Sequence, residues 1–259
     1  MKPLVIANWK MNPQTLAEAK RLFNSVKNGL KNIKNAEVVI CPPFVYLSAL
    51  KSEIMGPSSA ISFGGQSCFW EEKGAFTGEV SPKMLKDLGV EYVIIGHSER
   101  RRYLKETDEM INRKIKAAII AGLKPILCIG SRERGNRGSS EMKIQLQKAL
   151  AGVKKTELKN VIITYEPVWA ISTTKRSVIA TPENTKEGKI FIRENLNKLF
   201  GKSLSQRIRI IYGGSVDSNN IEGFIKVAKM DGVLIGAASL KPDDFTAAVK
   251  KVDLISKTW

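Results

Sequence analysis

The chain is poor in the residues that bind metals and form disulfides. It contains one histidine, His97, and three cysteines, Cys41, Cys68 and Cys128. A single histidine and the lack of any Cys-x-x-Cys pair exclude an ordinary zinc site. Three cysteines cannot all pair within one chain, and two of them lie in strand-like runs. We therefore expect buried free thiols, a reducing cytoplasmic location, and neither metal nor cofactor.

The sequence also lacks long hydrophobic runs. No run approaches 18 apolar residues, so no transmembrane helix is predicted. Only four apolar residues precede Asn8, which is too few for the apolar region of a signal peptide. With 43% hydrophobic and 26% charged residues, the composition is typical of a soluble globular protein. We expect no membrane as a partner.

Negative charge is scarce relative to positive charge. The chain has 42 Lys and Arg against 25 Asp and Glu, a net charge of +17. Such an excess can indicate nucleic acid, an anionic membrane or an anionic small substrate as partner. The basic residues are scattered, with the densest group at 100–102, and no basic tail or nucleic-acid motif accompanies them. A lysine-rich solvated surface explains the charge equally well, and we do not expect nucleic acid to bind.

Short apolar runs alternate with longer amphipathic segments along the whole chain. Strands are predicted at 4–9, 36–41, 60–65, 90–96, 123–129, 160–166, 207–213 and 231–236. Helices are predicted at about 14–31, 44–54, 81–88, 103–121, 138–155, 181–200, 217–229 and 241–256. Strands that are apolar on both faces need cover on both sides, which favours a parallel sheet. Eight such units predict a single α/β domain over 1–259, a closed (β/α)8 barrel. A doubly wound open sheet is the alternative, but no Gly-x-Gly-x-x-Gly follows the first strand.

Proline and glycine mark the predicted helix ends. A polar residue precedes proline at three predicted helix starts, as expected of an N-cap followed by proline in the first turn. Glycine stands where three helices should end. The predicted N-caps are Asn12, Ser81 and Thr181, and the predicted stops are Gly89, Gly122 and Gly201.

Polar residues stand where three predicted strands give way to loops. Glu166 ends the sixth strand, and the following proline takes the chain out of the sheet. Parallel barrels carry their chemistry at this end of the strands, although a glutamate there can also simply cap the next turn. Alternation puts Asn8 and Lys10 on one side of the first strand. The lone histidine, His97, directly follows the fourth strand, which favours a functional role over that of a surface or core histidine.

Small residues follow the seventh and eighth strands. Gly213, Gly214 and Ser215 follow one, and Gly236 and Ala237 follow the other. Glycines let backbone N–H groups approach an anion closely, and a phosphate site in this position recurs among barrel enzymes. Tight turns alone would also use glycine, but the paired occurrence favours phosphate. A carboxylate base, an imidazole, an ammonium group and a phosphate site together suit proton abstraction next to a carbonyl.

Five segments give the chain a family resemblance. They are Asn-Trp-Lys-Met-Asn at 8–12, Gly-Ala-Phe-Thr-Gly-Glu at 74–79, His-Ser-Glu-Arg-Arg at 97–101, Tyr-Glu-Pro-Val-Trp-Ala-Ile at 165–171 and Tyr-Gly-Gly-Ser-Val at 212–216. In this order and spacing the chain resembles the triosephosphate isomerases. The resemblance implies the TIM-barrel fold and interconversion of dihydroxyacetone phosphate and D-glyceraldehyde 3-phosphate.

The resemblance also implies a role for each polar residue at the strand ends. Glu166 is expected to move a proton between two carbons through an enediolate, and His97 to polarise the carbonyl as a neutral imidazole. Lys10 is expected to bind substrate and stabilise the enediolate charge, with Asn8 as a neighbouring donor and Glu99 as a second carboxylate near Lys10. The expected ligands of the phosphorylated triose are Asn8, Lys10, Ser172, Gly213, Gly214, Ser215, Gly236 and Ala237.

In the family the third loop reaches into the active site of a second subunit, so the resemblance implies a homodimer. Thr77 is expected at the loop tip, Gly74 and Gly78 at its turns, and Glu79 as a partner for Arg100. Gln66 is expected on the approach of this loop to the site. The alternative is a solvated hairpin at 70–79.

Two departures from the family pattern concern the sixth loop. The family runs Ile-Gly-Thr-Gly-Lys there, whereas this chain has Ser172 and Thr174 in place of the glycines and about three extra residues within 176–179. Ser131 stands where the family has a glutamate that binds the indole of Trp169. We expect altered closure of a co-adapted lid over 172–180. The functional alternatives are an impaired barrel that acts as a basic binding protein, or another phosphate-handling barrel enzyme, such as an aldolase.

Overall fold

Eight parallel strands close into a barrel in which each strand pairs with its neighbour in sequence and β1 pairs with β8. The computed structural model describes residues 1–53, 61–133, 135–170 and 180–257. The strands are β1 (Leu4–Asn8), β2 (Glu37–Cys41), β3 (Ile61–Gly65), β4 (Tyr92–Ile95), β5 (Lys124–Ile129), β6 (Ile162–Tyr165), β7 (Arg209–Tyr212) and β8 (Gly232–Ile235). Each lies within its predicted segment. The predicted (β/α)8 barrel is therefore confirmed.

Helices surround the barrel. They are α1 (Leu16–Gly29), α2 (Phe44–Lys51), α3 (Pro82–Asp87), α4 (Ser98–Tyr103), α5 (Asp108–Ile120), α6 (Gly135–Ala149), α7 (Pro182–Phe200), α8 (Lys202–Ser205) and α9 (Pro242–Ser256). Short 3-10 turns occur at Leu158–Asn160, Val168–Ala170 and Ala237–Leu240. The first and last long helices pack on each other, which closes the outer layer where the chain ends meet. In the described ranges, no helix has both the length and the apolar character needed to cross a membrane.

Strand alternation separates two cores. Leu4 and Ile6 belong to the cluster inside the barrel, while Val5 and Ala7 pack in the layer between strands and helices. Because successive side chains point to opposite faces, Asn8 takes the inner face at the mouth of the barrel. The alternation of side chains along β1 thus places Asn8, the first polar residue of the candidate site, at the barrel mouth.

Two of the three predicted proline helix starts are confirmed. Ser81 accepts a hydrogen bond from the N–H of Met84, and Thr181 caps α7 in the same way. The prediction of Asn12 as an N-cap is wrong, because Thr15 caps α1 instead. Thr15 and Glu18 each bond the other's backbone N–H, a reciprocal capping box that begins the helix three residues later.

The prediction of one helix over 103–121 is also wrong. The chain forms α4 and α5, which are separated at Leu104 to Thr107. Lys105 has φ of +57°, a left-handed conformation that ends a helix, and Thr107 caps α5 through the N–H of Met110. The predicted helix at 217–229 is a turn followed by a π-helical segment, Gly223–Val227. The predicted stops Gly89, Gly122 and Gly201 all have positive φ, as expected of glycine beyond a helix.

A buried ionic cluster fastens α4 to α5. Glu106 accepts from Nε of Arg100 at 2.6 Å and from Nζ of Lys114, which also donates to Ser67 Oγ at 3.2 Å. The side chains of Glu106 and Lys114 are each 2% exposed. Burial alone would raise the pKa of Glu106, but the hydrogen bonds and charges of Lys114 and Arg100 hold it below its ordinary value. Glu106 therefore stabilises the fold above its unfolded pKa, and this contribution is lost as pH falls through the lower folded value.

We expect Glu106→Ala to lower the free energy of unfolding by about 3–5 kcal/mol, because it leaves the buried ammonium of Lys114 uncompensated. Glu71→Ala is the matched control, since Glu71 pairs with Arg113 at 3.0 Å on the surface. A surface pair contributes about 1 kcal/mol or less. Urea unfolding of both variants measures the difference. Equal losses would show that the cluster stabilises no more than a surface pair.

Candidate active site

The end of β1 turns sharply at the mouth of the barrel. Lys10 has φ of +54°, and its N–H donates to Asn8 Oδ1 at 3.0 Å. The amide of Gln66 donates to the carbonyls of Lys10 at 2.8 Å and Cys41 at 2.9 Å. A left-handed lysine persists only when its surroundings hold it. The side chains of Asn8 and Gln66 therefore fix the direction of the Lys10 side chain.

Lys10 and Glu99 form an ion pair at the mouth of the barrel. The Nζ of Lys10 lies 2.6 Å from Oε1 of Glu99, and both side chains are partly exposed. Lys10 follows β1, and Glu99 lies in the first turn of α4 after β4, so the pair joins distant parts of the chain. The carboxylate holds the ammonium group over the strand ends.

His97 caps α4 with its imidazole. Its Nδ1 accepts a hydrogen bond from the N–H of Glu99 at 3.3 Å. An accepting nitrogen carries no proton, so the hydrogen-bond network assigns the proton of the neutral ring to Nε2. Nε2 lies 3.1 Å from Oε1 of Glu166. The helix start therefore sets both the tautomer and the direction of the donor.

Glu166 directly follows β6 and is almost wholly inside the protein, with 1% of its surface exposed. Its N–H donates to Ile129 at 2.8 Å, and its Oε2 accepts from the N–H of Ser98 at 3.0 Å. Oε1 is buried and has no hydrogen-bond partner among the described residues. A buried carboxylate oxygen without a donor is unfavourable and is common at functional sites.

Two glycines allow the chain to crowd around Glu166. A Cβ at Gly130 would overlap the backbone carbonyl of Glu166. A Cβ at Gly213 would lie 3.1 Å from Cγ of Glu166 and 2.5 Å from Cγ2 of Thr164. Close approach of backbone and side chain explains glycine at both positions.

A cavity of about 260 Å³ opens beside Lys10 and His97, between the loops that follow β7 and β8. Its walls include Gly213, Gly214, Ser215, Gly236 and Ala237, the residues predicted to hold phosphate. The turn Ala237–Leu240 begins at this cavity, and the first N–H groups of a helical turn lack acceptors within the turn. The hydroxyl of Ser215 donates to the carbonyl of Ala170 at 3.1 Å.

Glu166 does not line this cavity but a neighbouring one of about 330 Å³, which it shares with Ser98 and Arg132. The carboxylate is therefore turned toward the loops after β4 and β5. It has to leave the N–H of Ser98 before it can reach a molecule held between Lys10, His97 and the glycines.

The three cysteines are free and buried, as expected. Burial, followed by the charge of neighbouring Glu166, raises the pKa of the Cys128 thiol well above its ordinary value. Burial raises the pKa of Cys68 to about 12 and that of Cys41 as well. A thiol that stays protonated is a poor nucleophile, so none of the three supplies a reactive thiolate. Among the residues with described coordinates, no three His, Cys, Asp or Glu side chains cluster as metal ligands would.

Ser131 connects the fifth and sixth loops through its backbone. Its hydroxyl accepts from the N–H of Glu133 at 3.0 Å, and its carbonyl accepts from the N–H of Val168 at 2.9 Å. Ser131 thus caps its own turn and holds the start of the sixth loop. The predicted residues Ser172 and Thr174 and the insertion 176–179 lie outside the described residues.

The third loop carries an aromatic cluster. The ring of Phe69 lies 4.1 Å from that of Trp70 and 4.7 Å from that of Phe76. The expected turns are present, since Gly74 and Gly78 have φ of +145° and +88°. Thr77 and Glu79 are exposed. Within the chain, Arg100 pairs with Glu106. The partnership of Glu79 with Arg100, expected as part of the dimer contact, stays a prediction.

Several residues of the cavity wall were not predicted from the sequence, among them Lys241, which lines the cavity together with Lys10. The sequence feature that could have indicated Lys241 is its position between the glycine-containing loop after β8 and the proline that begins the last helix. Only the small residues of that loop were predicted to bind the substrate.

Comparison with known proteins agrees with this geometry. The family model for triosephosphate isomerase matches residues 3–252. A triosephosphate isomerase of Carboxydothermus hydrogenoformans is 49% identical over 253 residues, which span 96% of this chain and 98% of that protein. Those of Caldanaerobacter subterraneus subsp. tengcongensis and Dictyoglomus thermophilum are 46% and 44% identical, each over 96% of this chain and 98% and 99% of their own lengths. The chain therefore belongs to the triosephosphate isomerase family of isomerase enzymes.

Proposed function

We propose that this protein interconverts D-glyceraldehyde 3-phosphate and dihydroxyacetone phosphate through an enediolate. The observation that carries the proposal is that Lys10 and His97 line a cavity walled by glycines, with Oε1 of Glu166 3.1 Å from Nε2 of His97. The ammonium of Lys10 and Nε2 of His97 can face a carbonyl oxygen, and the glycine loops can take the phosphate. No metal or cofactor takes part in the proposed reaction.

The proposed reaction begins when Glu166 leaves the N–H of Ser98 and takes a proton from the carbon next to the carbonyl. The electron pair of the broken C–H bond moves toward the carbonyl oxygen, and an enediolate forms. Lys10 and the Nε2–H of His97 stabilise its negative charge, as pre-positioned donors do for developing oxyanions. Glu166 then returns the proton to the neighbouring carbon, while His97 exchanges protons between the two oxygens.

Asn8 and Glu99 position Lys10, one of the groups proposed to act on the substrate. Asn8 orients Lys10 through the bond between Oδ1 and the backbone N–H, and Glu99 restrains the ammonium at 2.6 Å. The backbone N–H groups of Ser172, Ser215, Gly236 and Ala237 would receive the phosphate. Gly213 and Gly214 let the chain pass close to it.

A coupled assay that measures kcat and KM with glyceraldehyde 3-phosphate tests the proposal. We expect saturable turnover by the wild-type chain. An absence of turnover by folded protein would favour the alternative of a basic binding protein. The assembled Lys10, His97 and Glu166 support the enzyme, because a binding protein has no need of all three.

We also propose that the changes in the sixth loop form a co-adapted lid. Two observations support it: the glycines are replaced at Ser172 and Thr174, and Ser131 holds the loop start through its carbonyl instead of a longer side chain. Loop closure excludes water and can limit turnover. A complex with a bound substrate analogue in which 172–180 remains open would contradict the proposal.

We further propose a homodimer formed through the third loop. The loop presents an aromatic cluster with Phe76 43% exposed next to the exposed Thr77. Apolar side chains that a single chain leaves exposed are typical of the core of an interface. The proposed dimer is cytoplasmic, in keeping with its free thiols, and has no nucleic-acid partner.

We expect the wild-type protein to sediment at about twice the 28.7 kDa mass of one chain. Thr77→Arg should shift it toward the monomer, because an unpaired charge at the loop tip would be buried on association. Thr156→Arg is the control, since Thr156 is exposed in a turn that precedes β6. Sedimentation equilibrium measures both variants. A wild-type monomer, or an unchanged dimer for Thr77→Arg, would contradict the proposed interface.

A further inference from the structure

Lys241 lies between the turn Ala237–Leu240 and α9, and its side chain lines the same cavity as Lys10 and His97. Its backbone is held on both sides. The N–H donates to the carbonyl of Ala238 at 3.2 Å, and the carbonyl accepts from the N–H of Phe245 at 2.9 Å. Phe245 is fully buried, which anchors this helix start. The position of the lysine is therefore fixed by the fold.

The ammonium group of Lys241 is unpaired in the part of the chain that the structure describes. Its side chain is exposed and forms neither an ion pair nor a hydrogen bond with the described residues. Lys10, by contrast, is already paired with Glu99 at 2.6 Å. In the described lining of the cavity, the ammonium group of Lys10 is thus paired with a carboxylate and that of Lys241 is unpaired.

Two carboxylates also line the cavity. Oδ1 of Asp217 accepts from the N–H groups of Asn219 and Asn220, at 2.9 Å and 3.1 Å. Oδ1 of Asp244 accepts from the N–H of Ser218 at 2.9 Å. Both carboxylates cap turns, but their negative charge remains at the cavity wall. Without Lys241, the charged groups in the described lining would be Lys10, which is already paired with Glu99, and these two aspartates, an unfavourable balance for a phosphate dianion.

We propose that Lys241 is a second substrate-binding cation, which attracts and holds the phosphate end of the substrate. The assignment rests on the proposed function, because it names the group that receives the phosphate of that substrate. Lys10 would face the reacting carbons, while Lys241 offsets part of the negative charge of the two aspartates at the phosphate end. Charged groups that line a cleft raise the local concentration of an oppositely charged substrate.

The proposal predicts a specific kinetic pattern. An interaction with the phosphate is made equally in the bound substrate and in the transition state, so its loss raises KM and leaves kcat nearly unchanged. The attraction should weaken as salt is added, because the cavity is open to solvent. A substrate without phosphate should not respond to Lys241 at all.

Four proteins test the assignment: the wild type, Lys241→Met, Lys241→Arg and the control Lys250→Met. Lys250 lies on the same helix, α9, is exposed, and is not part of the cavity wall. For Lys241→Met we expect kcat/KM with glyceraldehyde 3-phosphate to fall about tenfold, mainly through KM. We expect Lys241→Arg to restore most of the loss and Lys250→Met to behave as the wild type. Turnover of unphosphorylated glyceraldehyde, followed by NMR, should be equal in all four.

Titration calorimetry with inorganic phosphate measures the same interaction without turnover. We expect the Kd of phosphate to rise about tenfold in Lys241→Met and to stay unchanged in Lys250→Met. Phosphate binding that depends on Lys241 in a wild-type chain without isomerase activity would support the cation site while contradicting the proposed function. An active wild type whose KM and phosphate Kd are the same in Lys241→Met would overturn the assignment. An equal loss of glyceraldehyde turnover would also overturn it, since that would indicate a merely structural role.

Discussion

Glu166→Gln is expected to lower kcat for glyceraldehyde 3-phosphate by about 10²–10⁴ while the protein stays folded, because removal of a positioned general base has an effect of this size. The amide has the shape of the carboxylate and can still accept from the N–H of Ser98 through its oxygen. It cannot take a proton from carbon. The loss should therefore appear in kcat, with KM changed much less.

Steady-state kinetics and urea unfolding together measure this prediction. Glu194→Gln is the matched control, since Glu194 is exposed on α7 and removes the same charge far from the barrel mouth. We expect the control to retain wild-type kcat. If Glu166→Gln kept most of its kcat, Glu166 would not be the base. If it unfolded, the buried carboxylate would be needed for the fold, and Glu166→Asp would then measure the catalytic role.

Lys10→Met is expected to lower kcat/KM by about 10²–10³, because removing one pre-positioned donor from a developing oxyanion has this effect. The loss should exceed the tenfold effect of Lys241→Met, since in the proposed reaction Lys10 faces the reacting atoms. Methionine fills the volume of the lysine stem, so the packing at the end of β1 is kept. Glu99 loses its partner but is partly exposed and can be solvated.

Lys2→Met removes the same charge from the opposite end of β1, where Lys2 is exposed. We expect this control to have wild-type kcat/KM. Lys10→Arg should recover only part of the loss, because the planar guanidinium cannot reproduce the point charge of the ammonium. A Lys10→Met variant within a factor of about three of the wild type would rule out a role in stabilising the enediolate.

The barrel could be predicted from the sequence because its strands have an unambiguous pattern. Each is a short run of apolar residues, which is what burial on both faces of a parallel sheet requires. Helix ends were predictable where a single side chain decides them, as at Ser81 and Thr181. They were not predictable where two candidate caps lie close together, as at Asn12 and Thr15. There the reciprocal bond with Glu18 decides the outcome.

The long-range contacts could not be predicted from local patterns. The pairing of Glu106 with Lys114 accompanies a helix break between Tyr103 and Asp108, which lies inside the single helix predicted over 103–121. The left-handed conformation of Lys10 depends on Gln66, which is distant along the chain. The balance of charge around Lys241 depends on Asp217 and Asp244, and only the fold shows that these two residues line the same cavity.

The candidate site was easier to predict from the sequence than the long-range contacts, because its residues stand at strand ends. The parallel topology brings all strand ends to one rim, so His97 after β4 and Glu166 after β6 had to lie near each other. Their 3.1 Å separation and the contact between Glu166 and Ser98 come only from the structure. The contact with Ser98 adds a step to the proposed reaction that the sequence does not indicate, namely the departure of the Glu166 carboxylate from the N–H of Ser98.

The structure of the protein bound to 2-phosphoglycolate, whose planar, negatively charged carboxylate mimics the oxygens of the enediolate and which also carries a phosphate, tests the central claim most directly. We predict that the phosphate lies between the loops after β7 and β8, and that the carboxylate contacts Nζ of Lys10 and Nε2 of His97. Glu166 should have left the N–H of Ser98 to face the ligand. A ligand bound elsewhere, or a Glu166 that stays on Ser98 while the cavity is filled, would contradict the account.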